Sequence, residues 1–319
     1  MKLRFLVAVA LALPGVARAQ NQQGAPGETV ALRFAWPAGL SATVASERIR
    51  VRQAETADSS AAAATYHMQS GKGQGDERLV RFSDFELQAP AQAEARAQEM
   101  IEQIAQLLPS YRINNAGEFL GVYEVGKLKA RMDTMMAPLL ADDSSGQLHS
   151  LVASLVSEQY LNGVTAQEWN ALVGTWVGAD LELGQVYELE EQAPVPIIPG
   201  ATVKMVSEFA IEARVPCADD AQEKQCVQIH LYAEPDSAAM KTVLQQFMER
   251  IAGSGAAAQV PVFDDLSIRS ELLLITRPET LVPHYLELVK TIEGRGRLGS
   301  ESAPFSQTDR RRYWYTYND

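Results

Sequence analysis

The chain predicts an α+β fold, in which mainly antiparallel, curved sheet carries amphipathic helices packed on one face. Three observations lead there. Segments of apolar–polar alternation recur along the chain, the period expected of strands with one buried face. Short connections join them, too short for parallel crossovers, and several carry Gly, Asn or Pro. Between them lie stretches with apolar residues at helical spacing, each with one face to cover.

The first strand is read at Val30, Leu32, Phe34 and Trp36, which share a face, and Pro37-Ala38-Gly39 turns the chain. A second strand spans 40–53 and ends in the alternation Arg48-Ile49-Arg50-Val51-Arg52. The Ala-, Ser- and Asp-rich stretch 54–63 reads as a loop, and strands follow at 64–71 and 78–87. Four consecutive strands with short links make a meander.

A helix is expected over 90–108, where Ala97, Met100, Ile101, Ile104 and Leu108 recur at helical spacing. Asn114-Asn115-Ala116-Gly117 is a hairpin turn between strands at 111–113 and 118–123. Two apolar stripes mark further helices, one from Leu128 to Leu140 and one from Leu148 to Val156. Thr165-Ala166-Gln167-Glu168 has the form of a capping box, opening a helix with Trp169, Leu172, Val173 and Trp176 on its inner face.

Strands resume at 181–189, and a Pro-rich connection at 194–199 leads to a hairpin of 202–215 and 226–233. Pro235-Asp236-Ser237 caps a helix that buries Met240, Val243, Leu244, Phe247, Met248 and Ile251. A strand follows at 266–276. The segment 280–294 fits helix or strand, and the neighbouring strands' need for partners favours strand. Tyr313, Tyr315 and Tyr317 alternate with Arg312, Trp314 and Thr316 in a closing strand. The globular region is therefore 28–319. Its stretches 28–177 and 178–319 share an order of strands, helix and strands that hints at duplication without repeated residues.

The N-terminus reads as an export signal. Lys2 and Arg4 precede an apolar run at 5–13, and Ala17-Arg18-Ala19 places cleavage before Gln20. Residues 1–19 form the leader and 20–27 a short polar tail. The whole chain of 319 residues carries a net charge of −12. Removing Lys2, Arg4 and Arg18 takes it to −15, a balance that argues against general nucleic-acid binding and against docking on anionic lipid through an overall positive field. No run after the leader approaches the ~20 apolar residues of a membrane-spanning helix. The expected location is the periplasm or the medium.

The two cysteines, Cys217 and Cys226, flank a polar turn. In an oxidising compartment they read as a disulfide pinning a hairpin. A metal site of these two with His230 lacks a fourth ligand and a familiar zinc spacing. No metal and no cofactor is expected.

Motifs of catalysis are missing from the sequence. It contains no nucleophile elbow, no Ser-x-x-Lys, no His-Glu-x-x-His and no phosphate loop. Gly71, Gly73 and Gly75 lie in a hairpin loop rather than before a helix, unlike a dinucleotide turn. The histidines His67, His149, His230 and His284 are dispersed. The acid pairs Asp142-Asp143, Asp219-Asp220 and Asp264-Asp265 read as solvated turns, and Met132, Met135 and Met136 as core packing rather than a Cu(I) site. Arg310-Arg311-Arg312-Tyr313-Trp314-Tyr315 could dock an anionic envelope glycan or lipid head group, and equally fits a charged edge strand.

The stretch 271–285, Glu-Leu-Leu-Leu-Ile-Thr-Arg-Pro-Glu-Thr-Leu-Val-Pro-His-Tyr, resembles a family of exported proteobacterial proteins without an assigned activity. The resemblance implies export and no particular chemistry. The functional expectation is non-enzymatic binding of an apolar ligand or envelope partner, in a cleft between sheet and helices lined by Trp169, Trp176, Phe247 and Met248. The alternative is a hydrolase without a local motif, its site assembled from distant His and acidic residues.

Overall fold

The computed structural model describes residues 27–53, 57–88, 108–140, 156–195, 198, 200–217, 225–252, 262–298 and 301–317. The leader 1–19, the tail up to residue 26, and most of the expected helices at 90–108 and 148–156 lie outside the described residues.

The strands are β1 (Thr29–Ala31), β2 (Ser41–Gln53), β3 (Ala57–Lys72), β4 (Glu77–Gln88), β5 (Tyr111–Asn114), β6 (Phe119–Val122), β7 (Asp180–Glu182), β8 (Val186–Pro194), β9 (Thr202–Val215), β10 (Cys226–Pro235), β11 (Val262–Thr276), β12 (Pro283–Leu298) and β13 (Glu301–Tyr317). The helices are α1 (Val125–Leu140), α2 (Glu158–Trp169) and α3 (Ser237–Ala252). Apart from a small β1–β7 ribbon, the strands form one eleven-stranded sheet of order β6-β5-β4-β3-β2-β13-β12-β11-β10-β9-β8. Every neighbouring pair in it is antiparallel. This is the α+β class with mainly antiparallel sheet.

The order is a meander cut and rejoined. The run β8 to β13 continues in space at β2, because β13 pairs with β2 from Ser306↔Gln53 to Tyr317↔Ala42. The C-terminal strand is therefore central, which corrects the edge-strand reading of the arginine run. The expected four-strand meander is also corrected. Only Thr29–Ala31 of the first segment pairs, and its partner is β7. Residues 32–36 instead cross the packed face, with the N–H groups of Leu32, Arg33 and Ala35 donating to the carbonyls of Ala179, Pro278 and Thr280. Burial still alternates there, with Leu32 and Trp36 buried and Arg33 and Ala35 exposed.

Two more readings change. Most of the expected loop at 54–63 is strand, since β3 runs from Ala57 in unbroken register with β2. Its alanines and serines have no side-chain alternation, but the ladder with a long partner holds them extended. The capping box at Thr165 opens nothing. The helix starts earlier, where the Ser157 side chain accepts from the Tyr160 N–H. Thr165 lies inside α2 and donates back to the Leu161 carbonyl. A π-turn, Asn170–Gly174, continues the helix past Trp169. The ambiguous segment at 280–294 is strand from Pro283 on, as the neighbours' need for partners suggested.

The core lies on one face of the sheet. Met240 and Leu244 of α3 pack over β11, β10 and β9. Trp36, Trp169 and Tyr111 meet edge-on or tilted over the other half, with Trp36 and Trp169 ring centroids 5.2 Å apart. Gly117 permits this: its φ is +85°, and a Cβ would sit 2.7 Å from the Phe34 ring. Gly294 has the same duty at the β11 bulge, where a Cβ would lie 2.4 Å from the Asp265 carbonyl oxygen. Buried Leu281 holds a left-handed φ of 53°, which aims its carbonyl at the Trp36 indole N–H, 2.9 Å away.

Candidate functional site: a charged recess on the packed face

Strand parity builds the site. Ala42 and Val44 are buried against the core. β2 runs without a bulge opposite β13, so Ser46, Arg48 and Arg50 point to that same face. Their partners on β13 are Tyr313, Arg311 and Asp309, and on β12 Leu286, Leu288 and Lys290 stand beside those three. One cross-strand row therefore reads Arg50–Asp309–Lys290 and the next Arg48–Arg311–Leu288. α2 adds Glu168 from above, one residue before the buried Trp169.

Asp309 collects the guanidiniums. Arg48 binds it through both Nε, 3.0 Å from Oδ1, and Nη2, on Oδ2. Arg50 Nη2 donates to Oδ2 at 2.9 Å, and Arg311 Nε lies 3.6 Å from Oδ1. Arg311 Nη1 stands 3.8 Å from a carboxylate oxygen of Glu168. Burial alone would raise the Asp309 carboxyl. The Arg48 and Arg50 hydrogen bonds and the Arg311 charge win, and hold it well below the usual carboxylate range. Burial, helped by Arg311, pushes the Lys290 ammonium down to about 7, while Asp309 opposes. Burial likewise raises Glu168, against Arg311 and Arg48, and pushes Tyr313 up to about 12, with Glu168 adding to it. Lys290 Nζ and Arg50 Nε are buried without a hydrogen-bond partner.

Two of these groups stay partly exposed: the Glu168 side chain keeps 46% of its surface open and Arg311 35%. The space between α2 and the β2–β13–β12 part of the sheet, where they meet the buried Asp309 and Lys290 Nζ, is the candidate recess. Half-buried Leu288 lies beside it as the cross-strand partner of Arg311. Farther across the sheet, on β4, Phe82 and Phe85 pack on Tyr66, with the Phe85 ring stacked at 5.6 Å. Exposed Ala62 faces Arg48 across the β2–β3 ladder.

The residues expected to line an apolar cleft divide. Trp169 and Trp176 are 0% and 1% exposed, and their indole N–H groups donate to the Gly117 and Ala171 carbonyls. Trp169 packs on Trp36 and Tyr111, and Trp176 on Phe209 at the other end of the sheet. Phe247 and Met248 are half-buried on α3. The arginine run splits by the two-residue period. Arg311 enters the recess, while Arg310 and Arg312 point outward to Glu287, and Arg312 also to Glu47.

Of the histidines, His67 contacts Thr43, His230 lies 3.4 Å from Glu212, and His284 packs on Tyr317. Among the described residues these three share no partner, and His149 lies outside them. Cys217 and Cys226 form the expected disulfide, with Cα atoms 5.0 Å apart. His284 lies with both sulfurs inside 4.8 Å, but sulfurs bonded to each other are not thiolate ligands. Burial and Arg277 push the His284 imidazole down to about 4. Among the described residues no helix is long and apolar enough to cross a membrane.

The sequence reading missed the recess. The available signal was parity: with Ala42 and Val44 inside, an unbroken strand must also turn Arg48 and Arg50 inside.

No family model matches the chain, and no curated protein matches it. Among solved structures, one described as lipid–protein interactions in lipovitellin is similar at a TM-score of 0.39 and 7% identity, covering 88% of this chain and 25% of that one. The chain thus spans a quarter of the lipovitellin chain. A likeness at that TM-score carries no weight for function.

Proposed function

We propose that this is an exported binding protein that receives an apolar ligand in the recess between α2 and the β2–β13–β12 part of the sheet, without transforming it. One observation carries the reading: charged side chains gather on the packed face of the sheet, some buried and some partly open to solvent, beside half-buried Leu288. A closed core has no such opening, and a convex surface does not desolvate its charges. Apolar concavities with a few polar groups are the usual form of small-molecule sites. The disulfide fits the oxidising compartment that export implies.

The test uses a neutral apolar dye, N-phenylnaphthylamine, whose emission rises in apolar surroundings. Native protein should take it up saturably. Ala62→Trp, which sets a bulky side chain beside Arg48, should abolish uptake while leaving the unfolding midpoint unchanged. Native protein that excludes the dye contradicts the proposal, and so does uptake indifferent to Ala62→Trp.

A further inference from the structure

Charge and hydrogen bonding in the recess do not balance. Four cationic side chains, Arg48, Arg50, Arg311 and Lys290, face two carboxylates, Asp309 and Glu168. A carboxylate has about four lone-pair sites. Asp309 already accepts three hydrogen bonds from Arg48 and Arg50, with Arg311 close by. It has little left for Lys290. Glu168 stands on the Arg311 side. Lys290 Nζ and Arg50 Nε are left buried and unpartnered on the packed face, on strands that both border β13. Unpaired buried donors of this strength are costly, and the natural complement is an oxyanion.

What surrounds the cations decides what carries the oxyanion. Along β12, Lys290 is followed two residues on, on the same face, by Leu288 and then Leu286 on one side and by Ile292 on the other. Phe82 and Phe85 lie beyond β2 and β3. A small, fully hydrated anion has no use for that apolar margin. We infer that the recess binds a single-chain amphiphile, with a carboxylate or phosphate-monoester head on Lys290, Arg50 and Arg311 and an alkyl chain along Leu288 and the neighbouring apolar side chains. The inference rests on the ligand-binding reading above and adds the chemical class. It also explains the arginine run: Arg311 serves the head, while Arg310 and Arg312 are neutralised outside by Glu287 and Glu47.

In the empty recess Lys290 is easily deprotonated, because burial and Arg311 outweigh Asp309. The other charged groups facing it are Arg48 and Arg50 from β2 and Glu168 from α2. An arriving oxyanion favours the ammonium, so at about pH 8 binding should draw a proton from solvent.

The experiment is displacement of N-phenylnaphthylamine from the full-length disulfide-bonded protein by dodecanoate, dodecyl phosphate, dodecanol and inorganic phosphate. The two charged amphiphiles should displace the dye about tenfold to a hundredfold more tightly than dodecanol. Inorganic phosphate should not compete at comparable concentration. Lys290→Met keeps an unbranched chain of similar length and should reduce the charged ligands to the level of dodecanol. Lys290→Arg should restore the preference. Calorimetry in two buffers of different ionisation heat should show proton uptake with dodecanoate in wild type and none in Lys290→Met. Equal displacement by dodecanol and dodecanoate, with dye still bound, overturns this inference and leaves the recess standing. Competition by inorganic phosphate alone also overturns it. Dye that never binds removes both readings together.

Discussion

The two ends of one sheet face treat the same architectural problem in opposite ways. Over β9, β10 and β11 the cross-strand row Ile211–Ile229–Leu274 is fully buried, and α3, with Met240 and Leu244 buried, packs on the same three strands. Each such side chain contributes about 1.5–3 kcal/mol by leaving water. Over β2, β13 and β12 the row is Arg50–Asp309–Lys290, where every inward position carries a charge. Desolvating an ion costs several kcal/mol, and its partners only partly return it. The β12–β13 and β13–β2 ladders run without a register break, and such pairing does not require the charges. The first end holds the protein together, and the second has a charge excess that suits the proposed ligand.

That contrast can be broken or sharpened by substitution. The largest effect belongs to the closed end: Trp176→Ala should lower stability by about 3–5 kcal/mol in urea unfolding, without changing dye affinity. A loss under about 1 kcal/mol would show the tryptophan to be replaceable packing. At the charged end, Asp309→Asn should cost roughly 3 kcal/mol, because it strands the guanidiniums that Asp309 gathers. Its pH signature follows from a carboxyl held low. The stabilisation is complete above the unfolded carboxylate value of about 4 and is lost as pH falls toward the lower folded value. Acid titration of wild-type stability should therefore show a decline below about pH 4 that is shallower in Asp309→Asn.

Replacing Cys217 and Cys226 by Ser should cost about 2–3 kcal/mol in the chain-entropy picture and leave the protein folded, since one short loop does not hold this core. Lys290→Met should change the sign, stabilising the ligand-free protein by about 1 kcal/mol at neutral pH. Wild-type stability should rise with pH between about 7, the folded value of Lys290, and the ordinary lysine range, where the unfolded chain holds more protons. Lys290→Met should be flat there. The smallest effect belongs outside: Arg312→Ala, which loses Glu287 and Glu47 on the solvent face, should cost about 0.5 kcal/mol.

Most elements were legible because alternation and helical spacing are local. The hairpin of β9 and β10, helix α3 with its Asp236 cap, and β13 follow from their own residues. Pairing order did not, because nothing in residues 301–317 says that they lie beside 41–53. The β13–β2 pairing joins distant parts of the chain and turned a presumed edge into the centre. β3 lacked a local signal because Ala57 to Ala63 is held by its partner's register rather than by side-chain preference. The recess was hidden for a related reason: Arg48-Ile49-Arg50-Val51-Arg52 looks like a strand with Ile49 and Val51 inside, and only the parity of Ala42 and Val44 shows the reverse. Trp169 and Trp176, read as ligand contacts, turned out to have no exposed surface.

Native mass spectrometry of the disulfide-bonded protein purified from its own cells tests the central claim most directly. The account predicts a mass above that of the oxidised polypeptide, with a non-covalent adduct that gentle activation releases as an anion, and loss of that adduct in Lys290→Met. A bare oxidised polypeptide for both proteins, under conditions where added dodecyl phosphate also fails to remain bound, would contradict it.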